Sequence, residues 1–366
     1  MSFESGSMTF RMFYLSQLLP KNHVERFASH AAPPITTLGD SPIHGWVTGR
    51  HLLDTNINKD TAFYAGYLRM TMMRAERKIP ESLLRAECRM EELARMQAEN
   101  RAELDRKTRT EIRKEIEARL LPTMPPQLKG MALVHLPESD VIFCEATSDK
   151  QLDALEASFR ETMGAGVIPV SPQYAAARRL KYDVRDYMPT SFSPDCEDDA
   201  VANSPGQDFL TWLWFYSEAR GGLIKLPSGG EFAVMIEGPL TFVLEGQGAH
   251  ETVLRHGSPA ISAEAKIALL SGKKLRKARL LLARGQDTWQ VSLDAEHFIF
   301  RGLKLPEGEK LEPVSRFQER MTSMTTFTTA FLEIFDRFMK ERTDEKTWEK
   351  TRTDIHRWVS ERTARK

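Results

Sequence analysis

The sequence predicts an α+β protein of more than one domain: antiparallel sheets with packed helices, a projecting helical hairpin and a helical C-terminus. Three observations carry this. Apolar runs of strand length, bounded by Gly and Pro, come in hairpin-like pairs rather than in regular alternation with helices. From Pro80 to Leu120 there is no Gly and no further Pro, and Ala, Leu, Glu, Arg and Met dominate. The end of the chain, from Val314 on, is charged and amphipathic. At roughly 100–200 residues per domain, the 366 residues allow two or three domains.

The elements follow in order. Residues 1–7 read as a short disordered leader. Phe10 to Leu15 is an aromatic first strand. Asn22 can cap a short helix through Ala28, with turns at Ala32-Pro33-Pro34, at Asp40-Ser41-Pro42 and after Gly45-Trp46-Val47. Phe63 to Thr71 alternates weakly and reads as one strand. In the helical stretch apolar residues recur at Leu83, Met90, Leu93 and Leu104, then at Ile112, Ile116 and Leu120. The stripe fades near Asn100, so two antiparallel helices are expected rather than one rod of about 60 Å.

Met131–Leu136 and Val141–Glu145 form a hairpin around Pro137-Glu138-Ser139-Asp140, followed by a helix carrying Leu152, Leu155 and Phe159 that Gly164 stops. Val167–Val170 is a short strand. Residues 191–206, with two prolines, Cys196 and Asp195, Glu197, Asp198 and Asp199, read as an exposed loop or linker. Asp208–Tyr216 is a buried helix. Phe232–Ile236 and Leu240–Leu244 are strands. Ser262 caps a helix ending at Gly272, and strands follow at Lys273–Ala283, Trp289–Leu293 and His297–Phe300. Two helices close the chain. The implied units are a central α+β domain (8–75 and 127–190), a hairpin tip (76–126), a base α+β domain (207–312) and the C-terminal helices (313–366).

The 51 Lys+Arg balance the 51 Asp+Glu, which excludes a uniformly basic protein but leaves local charge open. No apolar run is long enough to span a membrane, and the N-terminus does not read as a secretory signal. Cys88, Cys144 and Cys196 are odd in number and far apart. They suit a reducing cytoplasm rather than a disulfide framework or a zinc ribbon.

Phosphate-binding, dinucleotide, zinc-protease and nucleophile-elbow motifs are all missing, so neither a cofactor nor a catalytic constellation is expected. His44 and His51 lack the further ligands that a metal site needs. The acids at 195–199 could suggest a two-metal nuclease, though four acids in a proline-flanked loop are more simply a solvated turn. Trp212 and Trp214 could stack bases, but their apolar run favours core packing.

Positive charge concentrates at Lys266–Lys304, with nine Lys/Arg against three acids. Its centre, Gly272–Leu280, holds Lys273, Lys274, Arg276, Lys277 and Arg279 without an acid; Arg284 follows. On a strand Lys277 and Arg279 share one face and Arg276 takes the other. Such a strand can lie against a phosphate backbone, or it can be a solvated edge. A weaker group is Arg178, Arg179, Lys181 and Arg185, opposed by Asp183 and Asp186. The interleaved charges of the hairpin and of the C-terminus fit a solvated surface or a partner contact.

The order of these features resembles the recombination-associated protein RdgC family of bacteria. The stretches that carry it are Phe10–Leu15 before Gly45-Trp46-Val47, and Lys78-Ile79-Pro80 and Arg119-Leu120-Leu121-Pro122 around the hairpin. Val167-Ile168-Pro169-Val170-Ser171-Pro172 follows, and Ser262-Ala263-Glu264-Ala265 through Gly272-Lys273-Lys274-Leu275 leads to Leu303-Lys304-Leu305. Two departures stand out. Thr123-Met124-Pro125-Pro126 replaces the Phe that the family carries after Leu-Leu-Pro, and Phe209–Glu218 and the helices after Pro313 look like additions.

The resemblance implies a non-sequence-specific, nucleoid-associated binder of double-stranded DNA. It would act as a ring-shaped homodimer restraining a recombinase, with the hairpin at one dimer contact and the basic strand in the base or lumen. The family's exonuclease label finds no support in these residues, so no enzymatic activity is expected. A metal-dependent exonuclease, or an interaction module without DNA affinity, are the alternatives.

Overall fold

The structure is a computed structural model that describes residues 3–183, 187–198, 203–244, 250–309 and 311–361. The chain begins with β1 (Met8–Leu15), α1 (His23–Ser29), β2 (Ile43–Thr48), α2 (Lys59–Ala62), β3 (Phe63–Tyr64) and β4 (Tyr67–Arg77). Then come α3 (Glu81–Ala98), α4 (Arg106–Leu120), β5 (Pro126–His135), β6 (Val141–Cys144), α5 (Asp149–Met163), β7 (Val167–Pro169) and α6 (Pro172–Leu180). The second half holds α7 (Pro205–Ala219), β8 (Leu223–Lys225), β9 (Glu231–Leu244), β10 (His250–Leu254), α8 (Ala263–Leu270), β11 (Lys274–Arg284), β12 (Asp287–Asp294) and β13 (Ile299–Lys304). Two long helices, α9 (Pro313–Thr343) and α10 (Glu345–Ser360), end it. The α+β class is as the sequence predicts.

The strands form one antiparallel sheet in the order β10-β9-β11-β12-β13-β1-β6-β5-β4-β2, with β3, β7 and β8 at its margins. The expected central and base units are therefore halves of one sheet, joined where β1 pairs with β13. Phe10 stacks on Phe300 at 5.0 Å and meets Phe143 edge-on at 5.5 Å, so the joint is packed as well as hydrogen-bonded. Helix α9, about 45 Å long, crosses the seam on one face. Phe317 meets Tyr64 of the central half, while Phe331 and Phe338 pack on Phe300 and Trp212 of the base half. On the other face α1 and α5 cover the central half, where Phe27, Trp46, Leu133, Cys144 and Phe159 form a second core.

Several local readings change. Residues 3–7 are anchored rather than disordered. Phe3 is 2% exposed, Glu4 pairs with Arg69 at 2.6 Å, and Arg320 donates to the carbonyls of Phe3 and Gly6. Phe63–Thr71 is not one strand, because Ala65 and Gly66 take positive φ and turn the chain between β3 and β4. Phe232–Leu244 is one long strand rather than two. The described parts of the 191–206 segment, 191–198 and 203–206, are not an exposed linker. Phe192 is buried beside Trp348, Ser193 Oγ donates to the Leu270 carbonyl, and Asp198 pairs with Arg352. Trp212 and Trp214 are core residues, as their apolar run implies.

The hairpin forms as expected. Asn100 takes the left-handed conformation between the helices, and Asp105 caps α4. Its own small core is Leu84, Leu104, Ile112 and Ile116. Leu83, Met90 and Leu93, which the periodicity places in the inner stripe, face outward instead, with Met90 60% exposed.

Cys144 lies at the joint, fully buried, and burial pushes its thiol up to about 12. At pH 8 iodoacetamide should leave Cys144 untouched in the folded protein and label it only in denaturant, as read by peptide mass spectrometry. Cys88 and Cys196, only partly buried, should react without denaturant.

Candidate nucleic-acid interface

Alternation along the base strands separates two faces. In β11, Ala278, Leu280 and Leu282 are buried under the helices, while Lys277, Arg279 and Leu281 are only partly covered. In β12, Trp289, Val291 and Leu293 are buried, and Thr288, Gln290 and Ser292 are not. In β9 the same rule leaves Met235 51% exposed. No helix covers this second face in the base half, among the described residues.

Cross-strand register shows which side chains share it, since directly opposed residues point to the same side. Glu237 pairs with Arg279, Arg279 with Ser292, and Ser292 with Arg301. One row up, Lys277 opposes Asp294, Asp294 opposes Ile299, and Ile299 opposes Arg11 of β1. Arg11 opposes Cys144, which opposes Leu133 and continues into the α5-covered face of the central half. The open base face and the α5 side are therefore one face of one sheet.

Beyond α5 this face becomes cationic again. His44, Arg74 and Lys129 stand side by side on β2, β4 and β5. With Lys78, Lys150 and Gln151 they line a groove between the sheet and the first turns of α5. Glu76, the one acid there, is bridged by Arg74 at 2.5 Å and Lys129 at 2.9 Å. Those two hydrogen bonds hold its carboxyl below the usual range.

The sequence-derived candidates divide over this geometry. Lys277 and Arg279 lie on the open face. Arg276 bends to the carboxylate that Lys277 also uses, reaching Asp294 at 3.5 Å against 3.3 Å for Lys277. Irregular pairing on both sides of Lys277 breaks the simple alternation expected of these residues. Lys273 and Lys274 are corrected out of the interface. They are 8% and 3% exposed; Lys273 donates to Thr252, and Lys274 pairs with Asp208 at 2.7 Å inside the core.

Arg284 falls on the helix-covered side, over the rings of Phe232 and Trp289. Arg178 lies over Tyr14 and pairs with Asp140, and Arg179 forks onto Asp336 of α9, so both belong to the α9 side. Lys181 is exposed at the end of α6. Arg185 and Asp199 lie outside the described residues. The sequence reading missed Arg74, Lys78, Lys129 and Lys150, and it counted Arg301 in the basic span without naming it as a contact. The available signal was period-two placement on apolar strands, as in Met70-Thr71-Met72-Met73-Arg74.

A family model described as "Putative exonuclease, RdgC" matches residues 11–197, about half of the chain. The chain belongs to the RdgC family. At family level this supports a recombination-related nucleoid protein. No curated protein matches the chain. The RdgC match covers the central half, the hairpin and the start of the following loop. Lys277, Arg279 and Arg301 lie beyond it. Among the described residues no helix is long and apolar enough to cross a membrane, and no cluster of three or more metal-ligating side chains is found.

The buried pair gives a direct test. Burial raises the Asp208 carboxyl and Lys274 opposes that shift. Lys274→Met removes the opposing charge and should cost about 3–5 kcal/mol in urea unfolding at neutral pH. The folded-state carboxyl then sits further above its unfolded value, so the deficit should shrink as pH falls towards the acid range.

Proposed function

We propose that this protein binds double-stranded DNA through its phosphate backbone, without sequence preference, along the shared face just described. The observation that carries the reading is the uncovered base half of that face, where Lys277, Arg279 and Arg301, with Arg276 bent to Asp294, outnumber the acids Glu237 and Asp294. Backbone recognition needs cations spread along a surface rather than base-reading geometry. The groove at Arg74, Lys78, Lys129 and Lys150 extends the cationic track towards the hairpin.

The protein acts as a homodimer that encloses the duplex, in the cytoplasmic nucleoid, and restrains recombinase access during recombination. Leu83, Met90 and Leu93 on the outer side of α3 offer an apolar surface for the self-contact. We read the role as binding rather than exonuclease catalysis. Asp198, a candidate metal ligand, is committed to Arg352 and to the backbone N–H of Ser191.

Gel shifts with unrelated duplexes should give similar affinities that fall steeply with salt. Changing Lys277, Arg279 and Arg301 to Ala should reduce the log–log salt slope by about one for each phosphate no longer neutralised. Duplex binding that is absent at low salt, or unchanged in the triple variant, would overturn the assignment. Closed circles should be retained longer than short linear fragments, from which an enclosing dimer can slide.

A further inference from the structure

Arg11 is a buried arginine without a counter-ion in contact. It sits mid-strand in β1, 4% exposed, between Ile299 on β13 and Cys144 on β6. Its Nε is sealed from solvent and has no hydrogen-bond partner. Among the described residues its guanidinium makes neither a hydrogen bond nor an ion pair. Asp149 and Asp294 act on it only through space, and burial outweighs them, pulling its pKa below the usual arginine value. Asp294 is already shared by Arg276 and Lys277. A charge buried without a contacting partner destabilises the fold, so this position is poorly explained by stability alone.

Its surroundings on the shared face are those of an anion seat. Arg11 is paired with Cys144, the last residue of β6, and the chain runs from there into the N-terminus of α5 at Asp149, the positive end of a 15-residue helix. Gln151 N–H is capped by Ser148 Oγ, and Gln151 Oε1 accepts from the N–H groups of Thr147 and Ser148. The N–H groups of Asp149 and Lys150 are first-turn donors, which a helix leaves without an intrahelical acceptor. Arg301, two residues after Ile299 on β13, reaches this terminus and donates to Thr147 Oγ1 at 3.3 Å. Lys150 adds an exposed cation.

We propose that Arg11, Arg301 and the first turn of α5 seat one phosphate group where the two halves of the sheet meet. This rests on the DNA reading above, and the ligand it names is a backbone phosphodiester. The seat would fix where the duplex crosses the joint, between the open base face and the groove beside α5. Asp149 and Asp294 flank it and limit its strength, which suits one contact among many rather than a tight free-phosphate site.

The test uses the full chain and two probes. Melting temperature is read in sodium phosphate against sodium chloride at equal pH and ionic strength, and a duplex is titrated at several salt concentrations. The variants are Arg11→Met, Arg11→Lys and Arg301→Gln. Arg11→Met can change stability by itself, so the readout is the increment due to phosphate. Wild type should gain a few degrees in phosphate, and Arg11→Met and Arg301→Gln should lose that gain. Both should bind duplex several-fold more weakly at low salt, with a slope smaller by about one. Arg11→Lys should recover part of both effects.

Duplex binding that depends on Arg11 without a phosphate increment supports the seat and assigns it to the polymer alone. A phosphate increment that depends on Arg11 and Arg301 in a protein with no duplex affinity keeps the seat and removes the DNA reading. Equal increments and equal duplex affinity in wild type and Arg11→Met overturn the proposal. If Arg11→Met does not fold, Arg301→Gln and Thr147→Val decide by the same criteria.

Discussion

The pairing of β1 with β13 is the constraint on which the rest of the molecule depends. It joins the beginning of the chain to residues near 300, so its ordering cost is met only when both halves have formed their cores. The Phe10, Phe143 and Phe300 rings and the flanking ladders supply the compensating burial. Once β1 is in place, the two halves share a plane and their faces are aligned. One face is closed by α9 across the seam, its aromatic side chains reaching from Tyr64 to Trp348, and by α7 over β9 and β11. The other is closed by α1 and α5 in the central half and left bare in the base half. The candidate interface follows from that asymmetry rather than from any single motif.

Much of the fold was legible because it is local. The hairpin could be read from an unbroken run of helix formers, and α5 from its spacing and its terminal Gly164. The central hairpin of β5 and β6 could be read from apolar runs around a turn. What failed depended on distant partners. Phe3 looks frayed until α9 supplies Arg320. Phe192 looks exposed until α10 supplies Trp348. In the hairpin, periodicity located an apolar stripe on α3, but the helix carries two. Its partner α4 selected the one with Leu84, leaving Leu83, Met90 and Leu93 outside.

The site was less legible than the fold for the same reason. Five cations in nine residues drew attention to Lys273–Arg279, yet charge density does not say which side a residue takes. Lys274 is drawn into the core by Asp208, a residue 66 positions earlier that the sequence gives no reason to pair with it. Conversely, Arg74 and Lys129 are unremarked singletons in sequence and become neighbours only through register. Arg11 is the sharpest case. It lies in an aromatic strand and is enclosed by β13 and β6 on both sides.

The zero net charge takes on meaning when it is divided by face. On the α9 side several cations hold a carboxylate each, Arg179 on Asp336, Arg220 on Glu341 and Arg178 on Asp140, while Arg320 and Arg342 donate to backbone carbonyls. On the shared face the acids are fewer than the cations they touch. Asp294 serves both Arg276 and Lys277, and Glu76 serves both Arg74 and Lys129. Each such carboxylate leaves a residual positive charge and also holds two long side chains in place, which lowers the entropy lost when an anion arrives. A surface built this way binds a polyanion by many weak, pre-ordered contacts, and those contacts are exchanged easily as a backbone moves across them. Balanced composition and local attraction are then the same design seen at two scales.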